Sequence, residues 1–315
     1  MRYISTRDPQ TIFETQDVIA EKQATDRGVY LPSDKITFTP HEIVALKDTP
    51  FNQIVADILN LFFDTHLSAW DIELCLGKTP GKTVAVSHRI VISELWHNPK
   101  GSISFFENAL LSKLTDQVRK ITCNPWVRVA IKIAILFGLY GQLQSQEHFA
   151  AGSSFDFVVQ TDDFTAPISA WYARSMGLPI HRIICTCNEE SDFWEFVHRG
   201  AFNGANATDA AVTCIEALLY LTLGAEEVAR FAYCMTDGSV YSLDEEQHPL
   251  FTEGIFCSVI SAGRVQTTIR STLRSTGYHA EPETALRLAA LQDYRASAGS
   301  SLQALLIADK APLGH

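Results

Sequence analysis

Between residues 155 and 187 the chain reads FDFVVQ, a loop, ISAWYARSMG, then Leu178-Pro179 and RIICTC. Two short apolar runs flank an amphipathic segment, which is the strand–helix–strand grammar of a parallel sheet. That grammar makes the fold class α/β. The surroundings extend it. TVAVSHRIVISELW, from Thr83 to Trp96, is rich in Val and Ile and reads as one or two strands. A helix is expected from about Phe105 to Lys120, and Asn124-Pro125 opens another that runs to about Gln144. DAAVTCIEALLYLTLG and PETALRLAALQDY are further amphipathic helices. Residues 1 to 80 read as mostly helical. Thr39-Pro40 starts one helix, and FNQIVADILNLFF carries apolar residues at helical spacing. The expected organisation is a helical N-terminal region over 1–82 and an α/β core over 83–315.

Charge and cysteine usage narrow the function classes. The net charge is -11 and no basic run occurs, so a nucleic-acid partner is not expected, because phosphate backbones are bound by clustered Lys and Arg. The most apolar stretch, Val127 to Leu143, is interrupted by Arg128 and Lys132 and is short of the about 20 apolar residues that cross a bilayer. It reads as a buried helix, and no membrane association is expected. The opening MRYISTRDPQ has no apolar run of a secretory leader, which places the chain in the cytoplasm as an expectation. Seven cysteines are scattered, and Cys185-Thr186-Cys187 lacks metal-site spacing, so no metal is expected.

Several segments, in order along nearly the whole length, resemble threonine synthases, pyridoxal-phosphate enzymes of fold type II. Tyr3-Ile4-Ser5-Thr6-Arg7 matches that family's Y-x-S-T-R-G opening, with Asp8 in place of Gly. TDRGVYLP, Thr25 to Pro32, is similar to D-G-G-L-Y-x-P, and Glu94-Leu95-Trp96-His97 to E-L-F-H. Phe155 to Pro179 resembles a strand, phosphate loop and helix ending in A-K-x-M-G-L-P. Asn188-Glu189 resembles the start of N-E-N-D. IEALLYLTLG and GYHAEPETAL resemble two later family segments. The resemblance implies the parallel-sheet core of the fold type II enzymes, joined to a helical N-terminal part.

The residues that carry the family's chemistry depart from it. In H-G-P-T-x-A-F-K-D the lysine forms a Schiff base with the cofactor aldehyde, which needs an amine. Here the segment runs His97-Asn98-Pro99-Lys100-Gly101-Ser102-Ile103-Ser104-Phe105-Phe106-Glu107. Anchored on F-K-D, the lost lysine position is Phe106; anchored on the related N-P-x-G-S-x-K-D pattern, it is Ser104. The family's glycine loop, which closes backbone N–H groups around the cofactor phosphate, is replaced by Gln160-Thr161-Asp162-Asp163-Phe164-Thr165-Ala166. Two carboxylates there would repel a dianion. The mobile small domain between the lysine helix and N-S-I-N-W-x-R is largely deleted, since Cys123-Asn124-Pro125-Trp126-Val127-Arg128 follows Lys113-Leu114 within ten residues. The terminal T-A-H-P-A-K-F segment is blurred to Ile307-Ala308-Asp309-Lys310-Ala311-Pro312. No cofactor is therefore expected.

Two readings follow. In one, the chain is a cofactor-independent enzyme of isomerase, lyase or cyclase type on a small amino-acid-like or phosphorylated metabolite. His97, Asp162 and Asp163 would do acid–base work, with Lys100, Ser104, Arg128 and Thr161 binding substrate. In the other, it is a non-catalytic protein binding a metabolite or partner. Surface bared by the missing domain then makes a homodimer a candidate assembly. The structural alternatives are plain: Asp-Asp before a helix is a common cap, and His97, Lys100 and Arg128 suit loop packing, a solvated charge and a stacking residue. Convergence of His97, Asp162 and Asp163 on one cavity would favour the enzyme.

Overall fold

The structure, a computed structural model, describes residues 1–21, 23–117, 124–161, 164–187, 191–205 and 207–312. The chain opens on a small antiparallel sheet of order β2-β1-β3, made by β1 (Arg2–Ser5), β2 (Phe13–Glu14) and β3 (Tyr30–Pro32), with α1 (Thr15–Ala20) between the last two. Helices α2 (Pro40–Ala45), α3 (Phe51–Phe63) and α4 (Ala69–Leu76) follow. The N-terminal region is thus helical from residue 40, while the first 32 residues fold around three strands too short to show a period. The expected start of α2 is in place: Thr39 Oγ1 accepts from Glu42 N–H, and the Glu42 carboxylate accepts from Thr39 N–H.

The central sheet has six strands in the order β10-β7-β6-β11-β5-β4. Strands β4 (Lys82–Ser87) and β5 (Ile90–Glu94) form an antiparallel hairpin at its edge, from the single Val/Ile-rich run. After α5 (Ile103–Gln117) and α6 (Pro125–Ser145), the βαβ unit is β6 (Phe155–Gln160), α7 (Thr165–Ser175) and β7 (Ile180–Cys187). An excursion follows: α8 (Asp192–Arg199), β8 (Ala201–Asn203), α9 (Asp209–Leu223), α10 (Ala225–Asp237), β9 (Val240–Ser242) and α11 (Gln247–Thr252). The chain returns through β10 (Ile255–Val259), α12 (Ala262–Thr276), α13 (Pro282–Ala298) and β11 (Gln303–Ala308). All sheet neighbours except β4 and β5 are parallel.

Both faces of the sheet are covered, as a parallel sheet requires. Phe155 and Phe157 of β6 belong to the larger core, which runs from Tyr3 through α3, α6 and α7. Val158 turns to the other face and packs with Leu288 and Leu291 of α13. α6 is long and apolar enough to cross a membrane by composition, yet 83% of that stretch is buried inside the fold. It is a core helix. Only positions 118–124 separate α5 from α6, which leaves no room for a folded subdomain there.

Candidate functional site

In an open α/β sheet, the crevice beyond the carboxyl ends of the strands is where ligands bind. Here a cavity of about 390 Å³ lies at the ends of β6 and β11. Its polar lining includes Ser104 in the first turn of α5, Lys132 on α6, Gln160 closing β6, Glu283 and Arg287 on α13, and Asp309 with Lys310 just past β11. Ile135, Leu136, Phe157 and Val159 supply an apolar wall.

The charges are pre-arranged in pairs. Arg287 is 7% exposed and donates to the Ile307 carbonyl and to Gln160 Oε1, with Asp309 at 4.0 Å. Asp309 Oδ1 accepts from Ile103 N–H at 2.8 Å, which ties the start of α5 to the end of β11. The Lys310 ammonium donates to Glu283, and that hydrogen bond raises its proton affinity. The Lys132 ammonium is held by Glu107, whose carboxylate also accepts from Arg128 at 2.8 Å. The cavity therefore presents cations and carboxylates together on an apolar wall. That lining suits a small zwitterionic or anionic molecule.

The structure distributes the sequence candidates over several places. Ser104 lies on the cavity wall, whereas Phe106 is fully buried in the larger core. His97 is outside the cavity lining: it stacks on Trp96 with ring centroids 3.7 Å apart and places Nε2 2.9 Å from Glu94 Oε2. The other oxygen of Glu94 accepts from Tyr278. Burial first, and the Glu94 charge second, push that phenol above its usual value. Lys100 Nζ donates to the Leu74 carbonyl at 2.6 Å and is not part of the cavity lining. Thr161 is buried and donates to the Thr186 carbonyl at 2.8 Å, a link between neighbouring strand ends. Arg128 lines a different cavity. Asp162 and Asp163 lie outside the described residues.

Sequence reading missed Lys132, Gln160, Glu283, Arg287, Asp309 and Lys310 as a group. The one usable signal was a lysine in the middle of the most apolar helix, because a charge there needs a partner or a ligand. Arg287 gave no such signal, since it sits inside an ordinary amphipathic run.

Pyridoxal phosphate, the group the resemblance implies, is poorly matched by the described residues. The cavity-facing position in the first turn of α5 is a serine, and the two amines on the wall are engaged by Glu107 and Glu283. No amine stands where α5 meets the cavity.

Comparison with known proteins gives the ancestry. Residues 2–79 match the family model described as threonine synthase N terminus. A threonine synthase of Pseudomonas aeruginosa is 29% identical over 126 residues, which is 38% of this chain and 27% of that protein. The threonine synthase-like 1 protein of Macaca fascicularis is 25% identical over 174 residues, or 51% of this chain and 23% of that protein. The matches thus span about a quarter of the length of these relatives. In three dimensions, the PLP-bound threonine synthase of Brucella melitensis aligns with a TM-score of 0.80 and 16% identity, over 99% of this chain and 89% of that one. At that identity the likeness speaks for the fold. The chain is similar to threonine synthases: residues 2–79 match the model of their N terminus, and its fold aligns with theirs over nearly its whole length.

Proposed function

We propose that this chain is a threonine synthase derivative that has left pyridoxal-phosphate chemistry and binds a small amino-acid-like metabolite in the cavity beyond β6 and β11. The observation that carries this reading is the wall itself. Ser104 occupies the cavity-facing turn of α5, and the cavity still offers Arg287 to a carboxylate and Asp309 to an ammonium. A guanidinium with a neighbouring carboxylate on an apolar wall suits a zwitterion with a modest side chain. Binding without catalysis is the preferred form, because His97 stands with Glu94 and Tyr278 away from that wall. The cofactor-independent isomerase, lyase or cyclase is the second form. It is favoured by Asp309 and Lys310, an acid and an amine adjacent in sequence on the same cavity.

Two measurements test this. The full chain is purified with excess pyridoxal phosphate, and its near-ultraviolet absorbance is recorded before and after borohydride. The expected result is no cofactor band and no lysine adduct; an adduct on any lysine would overturn the first half of the proposal. Thermal melting is then followed with free and phosphorylated amino acids. A ligand at 100 times its Kd stabilises by about 2.7 kcal/mol. The stabilisation is expected to vanish in Arg287→Gln, and stabilisation that persists there would place binding elsewhere.

A further inference from the structure

At the amino ends of the central strands, opposite the cavity, positive charge gathers around one buried carboxylate. Asp156, near the start of β6, is 0% exposed. Its Oδ1 accepts from His181 Nδ1 at 2.9 Å and its Oδ2 from Ser300 Oγ at 3.0 Å. In the sheet register Asp156 stands between Arg182 of β7 and Ala304 of β11. Arg182 lies over the Tyr294 ring of α13, 6.0 Å from its centroid. The next residue, Arg295, donates to the Leu302 carbonyl at 2.8 Å and at 2.9 Å to that of Arg89, in the turn between β4 and β5. Three guanidinium groups and an imidazole thus meet at one corner of a chain whose net charge is -11.

The positive charge there is incompletely met. Asp156 already serves His181 and Ser300. Among the described residues, the Arg89 and Arg182 side chains have no hydrogen bond and no ion pair, and Arg182 Nε and Arg295 Nε are buried donors without a partner. Burial first, with the Arg89 charge working against the pull of Asp156, draws the Arg295 guanidinium below its ordinary proton affinity. Polar groups in folded proteins normally find partners, and like charges at close range raise each other's energy. An anion at this corner relieves that repulsion, and the fork nitrogens of Arg89 and Arg182 are the donors still unused. His181 is placed beside them. Its side chain is 44% exposed, and with Nδ1 on Asp156 its Nε2 is turned away from that carboxylate.

We propose that this corner is a binding site for a phosphate group, held by the guanidinium groups of Arg89 and Arg182 with His181 Nε2 at its edge. Guanidinium forks match phosphate oxygens in geometry and keep their charge at every physiological pH. Asp156 fixes the imidazole from below, so part of the ordering is complete before the anion arrives. The site lies at the opposite end of β6 from Gln160 and the cavity it lines. It is therefore independent of whether that cavity holds a metabolite.

The test is calorimetric titration of the full chain, first with inorganic phosphate and then with glycerol 3-phosphate. Wild type is expected to show a binding event that Arg89→Gln and Arg182→Gln each weaken by about tenfold, the loss of one charge-assisted hydrogen bond. The double variant is expected to lose the event altogether. Arg89 is exposed in a turn, so its variant is expected to fold and carries the test by itself if Arg182→Gln does not. Tighter binding of the ester than of free phosphate assigns the site to a phosphorylated metabolite, and equal binding assigns it to the free ion. If wild type shows no event, or only events whose affinity is unchanged in Arg89→Gln, the site is refuted, whatever the cavity lined by Arg287 binds.

Discussion

Ser104 and Phe106 are two positions apart on one helical turn, so their side chains point roughly 200° apart around α5. Sequence alignment leaves either as the place of the lost lysine, and the turn separates them. Phe106 is 0% exposed within the larger core, while Ser104 reaches the cavity wall. The two positions should therefore answer differently to truncation. Phe106→Ala removes a packed ring and is expected to cost about 3–5 kcal/mol. Ser104→Ala removes one hydroxyl at an exposed position and should stay within about 0.5 kcal/mol of wild type. Urea denaturation of both variants checks this. Equal costs would mean that Phe106 is not the packing residue and that the face of α5 turned to the cavity has been misassigned. Glu107, next along the chain, has a third role as the counter-ion of Arg128 and Lys132.

At the scale of elements, the approach to α5 is fixed by Asn98. Its side-chain NH₂ donates to the carbonyls of Leu76 and Thr79, and its Oδ1 accepts from Lys100 N–H at 2.9 Å. The end of α4, the turn before β4 and the loop into α5 are thus held by one amide. Asn98→Ala leaves two carbonyls unpaired, each at a penalty of about 1–3 kcal/mol where water cannot reach. It should loosen residues 77–81 and 98–102, which hydrogen exchange would report as lost protection in those two segments together. Loss confined to one would break the link. Signals of this local kind are what a sequence exposes. Thr39-Pro40, Asn124-Pro125 and the β6–α7–β7 run are each written within a few residues, and each is where the reading placed it. The cavity is not written that way. Ser104, Lys132, Gln160, Arg287 and Asp309 come from five elements or their ends, and the pairing of β11 with β6 and β5 that assembles them joins residues far apart in the chain. The strands at residues 2–5 and 30–32 escaped for the same reason, because each is short and its partner is distant.

Across the whole molecule, one core joins regions that the sequence divides at residue 82. Tyr3 of β1 stacks edge-on with Trp126 of α6 at 6.1 Å and donates to the Phe62 carbonyl on α3. Trp126 in turn meets Tyr172 of α7 at 5.1 Å. Aromatic side chains with a hydroxyl are the mortar here, and burial sets their chemistry. Desolvation is the leading cause that raises the phenols of Tyr3, Tyr140, Tyr172, Tyr241 and Tyr278; Glu227 adds to it at Tyr241, and Glu94 at Tyr278. A phenol whose folded proton affinity lies above its unfolded value, near 10, contributes stability that is complete below about pH 10. That contribution is lost as pH rises from there toward the folded values, because the unfolded chain gives up protons the folded chain keeps. Alkaline titration followed at 295 nm should therefore show a late step, above the ordinary value, in which these five tyrosines ionise together with loss of the near-ultraviolet circular dichroism signal. If all the tyrosines ionised together near pH 10 with the fold intact, the aromatic seam joining β1, α3, α6 and α7 would have to be open to water, and the single core across residue 82 would have to be given up.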